Sequence, residues 1–169
     1  MPYPAGAAWQ TPRDHGAMAP WRDVVAEAPE LAKKVEARFA AHKHAVLGTL
    51  RRDGAPRLSG TETTFKDGEL WLGSMEPARK ADDVRRDPRL ALHSATADAD
   101  LKGGDAKISG RAEEITDEAT RAAVVQGAPG AFVLWRIDVE EVALVEVASD
   151  RLWITSWHEG RGVTTVDRA

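Results

Sequence analysis

Apolar side chains first recur at a regular spacing early in the chain. Leu31, Val35 and Phe39 follow one another at intervals of four, with charged residues between them. Because residues four apart share one face of a helix, this pattern predicts an amphipathic helix over residues 29–42. Residues 1–28 show no such period and contain four prolines. We interpret them as an extended N-terminal arm.

Strand-like runs separated by tight turns follow this helix. Residues 44–50, 56–65 and 69–74 are rich in apolar and β-branched side chains, and Asp-Gly pairs stand at 53–54 and 67–68. An Asp-Gly pair between two such runs is a strong signal for a tight hairpin. The three runs therefore predict an antiparallel meander.

The remaining chain alternates short helices with further strands. Helices are predicted over residues 78–86, ending before Pro88, and over residues 116–126. Further strands are predicted over residues 89–96, 105–115, 131–139, 141–148 and 151–157. This fold class is mainly β with peripheral α-helices, and we interpret residues 29–169 as one domain. Only closure or pairing with a second chain removes exposed strand edges, so the pattern favours a closed or half-closed antiparallel barrel.

Composition narrows the range of functions. The chain carries a net charge of −4 and has a pI of about 5.7, which gives no general attraction for nucleic acid or an anionic membrane. It contains no cysteine, which excludes disulfides, thiol catalysis and Cys-ligated metals. The N-terminus lacks the pattern of a signal peptide, and no apolar run is long enough to span a bilayer. We therefore expect a cytoplasmic protein without nucleic-acid or membrane partners.

Common catalytic and cofactor motifs are missing from the sequence. It has no glycine-rich dinucleotide fingerprint, no phosphate-binding P-loop and no serine-nucleophile elbow. His42 and His44 form a pair, but nothing nearby supplies a convincing third ligand, so no metal site is predicted. The sequence assigns no catalytic residue.

The segment that points to chemistry runs from Ser74 to Ala81. It places Arg79 and Lys80 at the first turn of a helix that directly follows a strand. Ordinary helices carry acidic residues there, because unpaired backbone N–H groups already give that end a partial positive charge. Two cations in this place indicate an anionic ligand such as a phosphate. The alternative is that both side chains are solvated surface residues.

Two strands add candidates for the same site. Arg57 opens a run that also carries Ser59, and small hydroxyl side chains alternate along one face of it. Such a face is poor core material, but it suits a polar ring edge such as that of an isoalloxazine. Lys107, in the run over 105–115, is a candidate cation from another wall. For each of these residues the alternative is an exposed strand face.

The order of these segments resembles the pyridoxamine 5′-phosphate oxidase-like superfamily of flavin and deazaflavin oxidoreductases. The resemblance extends over residues 30–168 and is carried most specifically by TLRRDGAP (49–56) and RKADDVRRDPRLAL (79–92). It implies a split antiparallel β-barrel of the FMN-binding type. It also implies a homodimer with two equivalent cofactor sites, each lined by both subunits.

By position, the resemblance assigns roles to individual residues. Arg79 and Lys80 would bind the phosphate of the cofactor, and Arg57 would lie beside it. A three-residue stretch from Leu72 would pass along the ring or ribityl chain, and Trp157 would come from the partner subunit. Together with the strand residues above, the candidate cofactor-binding set is Arg57, Ser59, Leu72, Gly73, Ser74, Arg79, Lys80, Lys107 and Trp157.

The resemblance also implies two-electron chemistry on the cofactor, which the protein orients. Authentic pyridoxamine 5′-phosphate oxidases carry a lysine where this chain has Glu62, a serine where it has Ala78 and a glutamine where it has Asp105. We therefore expect an FMN-binding oxidoreductase that acts on another small organic substrate. An alternative is a reductase of the same superfamily that uses the deazaflavin F420. A cofactor-free or haem-binding carrier or sensor barrel is an alternative of another class.

Overall fold

The computed structural model describes residues 19–96, 103–125 and 131–168. Four helices lie in these ranges: α1 (Trp21–Glu27), α2 (Pro29–Ala40), α3 (Arg79–Arg86) and α4 (Glu118–Val124). The strands are β1 (Ala45–Leu50), β2 (Pro56–Thr61), β3 (Thr63–Lys66), β4 (Glu69–Met75), β5 (Arg89–His93), β6 (Asp105–Glu114), β7 (Phe132–Ala148), β8 (Arg151–His158) and β9 (Gly162–Arg168). The predicted fold class, mainly β with peripheral helices, is confirmed.

These strands form one antiparallel sheet. Its main path runs β2-β1-β5-β6-β7-β4-β3, and β8 and β9 continue from β7. The two ends of the path, β2 and β3, are neighbours in the chain with only Glu62 between them. Closure of the sheet into a split barrel, and the extent of the domain over residues 29–169, stay predictions.

The predicted meander is wrong in its middle strand. Residues 56–65 break at Glu62 into β2 and β3. Strand β2 pairs with β1, whereas β3 pairs with β4, so the two hairpins stand at opposite ends of the main path. Both Asp-Gly turns are present. Gly54 and Gly68 have φ angles of 82° and 75°, a region that glycine adopts without strain.

Strand β7 is the longest strand and the centre of the sheet. The structure has this single strand where the sequence predicted two, over residues 131–139 and 141–148. It pairs with β6 along most of its length, with β4 in its first half and with β8 in its second half. The register against β6 shifts at Gly110, where Glu140 is the extra residue of β7. Gly110 is required there, because a Cβ would lie 2.0 Å from the carbonyl oxygen of Asp138.

Helix α1 occupies the end of the predicted N-terminal arm. The extended interpretation is wrong for this helix, and residues 1–18 lie outside the described part of the chain. Trp21 is 2% exposed, and its Nε1 donates to Glu36 of α2 at 2.5 Å. The Nε1 of Trp157 on β8 donates to Glu27 at 2.7 Å. Helix α1 is therefore fastened both to the next helix and to the sheet.

Helix α2 covers the core face of the sheet. Leu31, Val35 and Phe39 are all buried, which confirms the predicted amphipathic helix, although it ends at Ala40. Strand β9 was not predicted, because its sequence is mostly polar and nearly all of it is exposed. None of the helices in the described ranges is long and apolar enough to cross a membrane.

Candidate functional site

The candidate anion site is built around the start of α3. Strand β4 leads through residues 76–78 into this helix, so Arg79 and Lys80 occupy its first turn as predicted. No side chain caps the helix N-terminus. Arg79 is exposed and forms no ion pair with the part of the chain that the structure describes. Its guanidinium and the first backbone N–H groups can therefore meet an anion.

Lys80 joins this helix to strand β2. Its Nζ donates to the carbonyl oxygen of Gly60 at 2.7 Å. Partial burial lowers the pKa of Lys80, and the carboxylate of Glu62 opposes part of this shift. Glu62 is mostly exposed, and its Oε1 lies 3.3 Å from the Nζ of Lys43. A ligand anion beside Lys80 would stabilise the charged ammonium, as Glu62 does.

Arg57 is held against α3 by Asp83. The Nε of Arg57 donates to Oδ2 of Asp83 at 2.6 Å, and the side chains are 23% and 4% exposed. Thr49 and Arg86 donate to the same carboxylate at 3.1 Å and 3.0 Å. Burial tends to raise the pKa of Asp83, but these hydrogen bonds hold it below its ordinary value. The ionised carboxylate therefore ties α3 to both β1 and β2.

Ser59 and Thr61 continue the face of β2 that carries Arg57. These three residues alternate with the exposed Leu58 and Gly60, so they lie on the other side of the strand. Thr61 is 3% exposed, and its hydroxyl has no hydrogen-bond partner among the described residues. A buried hydroxyl without a partner costs about 1–3 kcal/mol. A polar ligand at this face would satisfy it.

Leu72, Gly73 and Ser74 alternate across β4. Leu72 is 1% exposed and lies in the core, so its side chain does not reach a ligand in this subunit. Ser74 is buried as well, and its hydroxyl is directed to the carbonyl oxygen of Met75 at 3.3 Å. A Cβ added at Gly73 would meet no atom within 4 Å. Of the three residues, Gly73 leaves the most room for a ligand to approach the backbone.

Lys107 lies on the other face of the sheet from Arg57. Arg57 is in register with the buried Thr49 and therefore belongs to the inner face. Lys107 is exposed, whereas its neighbour Ile108 is fully buried. The structure thus does not bring Lys107 to the α3 site within one subunit.

Trp157 lies inside its own subunit. It is 1% exposed and, as described above, donates to Glu27 of α1. The expectation that its ring meets a cofactor of the partner subunit does not fit this arrangement. The sequence offered no sign of it, because an aromatic residue near the C-terminus suits a core position and a ligand wall equally well.

Two further residues shape the site: Asp83, which the sequence reasoning missed, and Arg85. Asp83 lies one turn after Lys80, within a run that was interpreted only through its cations. Arg85 donates to Glu76 at 2.5 Å and to Glu114 at 2.8 Å. It thereby fastens the turn before α3 to β6. The signal for Asp83 was a carboxylate at helical spacing from the cations that the anion site needs.

The geometry suits the binding and orientation of an anion. Arg57 and Lys80 both contact the junction of α3 with β2, and Arg79 stands at the start of the same helix. Within the described ranges there is no group of three or more acidic or histidine side chains suited to a metal ion. The described residues of this site supply positive charge and hydrogen bonds.

Comparison with known proteins gives a family and a fold. The family model described as pyridoxamine 5′-phosphate oxidase matches residues 31–146, and no curated protein matches the chain. A candidate pyridoxamine 5′-phosphate oxidase from Listeria innocua is similar in structure, with a TM-score of 0.58 and 22% identity over 68% of this chain and 98% of that one.

Two other solved structures show how varied such proteins are. PhzG from Burkholderia lata 383, solved with tetrahydrophenazine-1-carboxylic acid, has a TM-score of 0.60 and 17% identity over 88% of this chain and 93% of its own. HutZ, the haem storage protein of Vibrio cholerae, has a TM-score of 0.52 and 14% identity over 65% and 90%. At these identities the likeness establishes the fold alone.

Proposed function

Because this chain belongs to the pyridoxamine 5′-phosphate oxidase family, we propose that it is an oxidoreductase that binds FMN at the start of α3. The observation that carries the proposal is the set of cations at the junction of α3 and β2. Arg79 is exposed in the first turn of α3, and the Nζ of Lys80 donates to the carbonyl oxygen of Gly60 on β2. Arg57 of β2 is bound to Asp83, which lies one turn further along α3. Such a set of cations suits a phosphate, which arginine can bind in a bidentate manner.

The residues fit a flavin phosphate in charge and in hydrogen bonding. FMN, when bound, supplies the two-electron chemistry. The cations of α3 and β2 would hold the phosphate, while Ser59 and the unpartnered hydroxyl of Thr61 offer hydrogen bonds to the polar part of the ligand. The open backbone at Gly73 permits close approach of a flat ring or its side chain. The departures from authentic pyridoxamine 5′-phosphate oxidases at Glu62, Ala78 and Asp105 support a small organic substrate other than pyridoxamine 5′-phosphate.

We also propose a closed split barrel that forms a homodimer. Leu58 is 74% exposed and Val46 is 40% exposed on the outer face of the sheet. Small residues, Gly48 and Ala91, lie in the same cross-strand row as Leu58, so this part of the face is flat. A second copy would bury this apolar surface. Lys107 is on the same face and would therefore stand at the interface of the proposed dimer.

Titration with FMN, riboflavin and F420 tests the proposed function. The expected result is submicromolar binding of FMN, at least about tenfold weaker binding of riboflavin, and weaker binding of F420, each followed by tryptophan quenching. Bleaching of bound FMN by an organic substrate, at a rate that free FMN does not show, would then demonstrate the redox activity. Tighter binding of F420 than of FMN would make F420 the cofactor. The exposed Arg51 and Arg52 at the β1–β2 turn would favour its polyglutamate tail. Binding of none of the three would contradict the proposal and favour a carrier or sensor.

Replacing Lys80 by glutamate tests the place of binding. The change removes one charged hydrogen bond and adds repulsion, which together exceed about 1.4 kcal/mol, so affinity for FMN should fall more than about tenfold. Lys33→Glu, on the exposed side of α2, is the matched control and should leave affinity unchanged. Equal affinity in both variants would remove α3 from the site.

A further inference from the structure

Asp83 is the most deeply buried ionised group beside the candidate site. It is 3% exposed, although it lies on a short helix with four basic residues. Both of its oxygens are used: Oδ2 accepts from Arg57 and Thr49, and Oδ1 accepts from Arg86. A buried carboxylate is tolerated only with such complete pairing.

The contact with Arg57 uses one part of the guanidinium. Only Nε is engaged, at 2.6 Å from Oδ2, and no described residue accepts a hydrogen bond from the two terminal nitrogens. A guanidinium has five N–H donors in a rigid plane, so fixing Nε also fixes the direction of the other four. One terminal N–H lies parallel to Nε–H on the side of the carboxylate, and the other three are directed away from it. The two at the far end of the guanidinium can form a bidentate contact with a phosphate.

The charges of this cluster do not cancel. One carboxylate lies between two guanidinium groups, those of Arg57 and Arg86, which are bound to its two oxygens. A net charge of about +1 therefore remains at the cluster. Asp83 can hold Arg57 in place without removing the attraction that the site exerts on an anion.

We propose that Asp83 is a positioning residue: it fixes Arg57 through Nε so that the terminal nitrogens of Arg57 face the phosphate of the bound flavin. This inference rests on the proposed function. It predicts a specific loss when Asp83 changes, confined to ligands that carry a phosphate. Riboflavin, which has the same ring without the phosphate, would not depend on the orientation of Arg57.

The test compares FMN with riboflavin in four proteins: the wild type, Asp83→Asn, Arg57→Ala and the double variant. Asp83→Asn keeps the shape of the side chain but removes its charge. It should weaken the binding of FMN about tenfold and change the affinity for riboflavin by less than about twofold. Arg57→Ala should do the same, and the double variant should be no worse than Arg57→Ala alone, because Asp83 acts through Arg57. Asp82→Asn is the matched control: it makes the same change at an exposed position of the same helix and should not lower the preference for FMN over riboflavin.

Three results would overturn the inference. They are equal weakening of FMN and riboflavin, losses that add in the double variant, and unchanged FMN affinity in Asp83→Asn. Should Asp83→Asn fail to fold, Thr49→Val removes one hydrogen bond to the same oxygen while keeping the buried shape. It should weaken FMN about two- to fivefold and leave riboflavin unchanged, and an unchanged FMN affinity would again overturn the inference. A wild type without preference for FMN over riboflavin would instead refute the proposed phosphate site itself, and with it this role of Asp83.

Discussion

The replacement of Trp21 by alanine measures how much α1 contributes to the fold. The indole is 2% exposed, its Nε1 donates to Glu36, and its ring centroid lies 4.7 Å from that of Phe65. Truncating a buried tryptophan to alanine costs about 3–5 kcal/mol. For a chain of 150–250 residues, each kcal/mol lowers Tm by about 2–4 °C. We therefore expect Tm to fall by roughly 6–20 °C.

Thermal unfolding followed by far-UV circular dichroism provides the measurement, with Trp153→Ala as the matched control. Trp153 is 37% exposed, and its Nε1 donates to a backbone oxygen at 3.3 Å, so its removal should lower Tm by less than half as much. A Trp21→Ala protein that unfolds within about 1 °C of the wild type would refute the docking of α1. In that case residues 21–27 would belong to the extended arm that the sequence pattern predicted.

Three further predictions concern the bulge between β6 and β7, a buried acid and the outer face. Gly110→Ala would place a Cβ 2.0 Å from a carbonyl oxygen and should cost more than about 3 kcal/mol of unfolding free energy, whereas Gly60→Ala, with open space, should cost less than about 1 kcal/mol in urea titrations. Burial raises the pKa of Asp138, so its ionisation destabilises the fold as pH rises through that pKa. Asp138→Asn should therefore raise Tm at pH 7. A gain in Tm that persists at about pH 3, where the carboxyl is protonated, would contradict this reasoning. Leu58→Glu should convert a dimer to a folded monomer in sedimentation, whereas Val25→Glu, on α1, should not; a Leu58→Glu dimer would exclude this face as the interface.

Much of the fold was predictable because its signals are local. The amphipathic period of α2, the Asp-Gly turns and the end of α3 before Pro88 all act within a few residues. The start of α4 is of the same kind: Asp117 lies directly before Glu118 and accepts from the backbone N–H of Thr120 at 2.7 Å, which caps the helix.

The errors arise where the structure depends on contacts between residues that are distant in the chain. Nothing near Glu62 announces that the strand breaks there, since the reason is that its two halves pair with different strands. The continuity of β7 through Glu140 depends on Gly110, some 30 residues away, which accepts the bulge. The burial of Trp157 depends on α1, at the other end of the chain.

The site shows the same division. The cations at the start of α3 could be located, because helix position and charge are both visible in the sequence. The contact of Arg57 with Asp83 and the face on which Lys107 lies could not be predicted. Both follow from how β1, β2 and β6 are arranged in space. Sequence thus located the cations of the candidate site better than the residues that arrange them.

The central place of β7 has a consequence for how the protein is made. Strand β4 pairs with β7 on one side and with the short β3 on the other, so its apolar residues Leu70, Trp71 and Leu72 lack their main partner until β7 exists. About 60 residues separate the two strands in the chain. At about 5–20 residues per second, a ribosome needs on the order of 3 to 12 seconds to supply them. During that interval the nascent chain presents an unpaired apolar strand, which is the kind of segment that molecular chaperones shield.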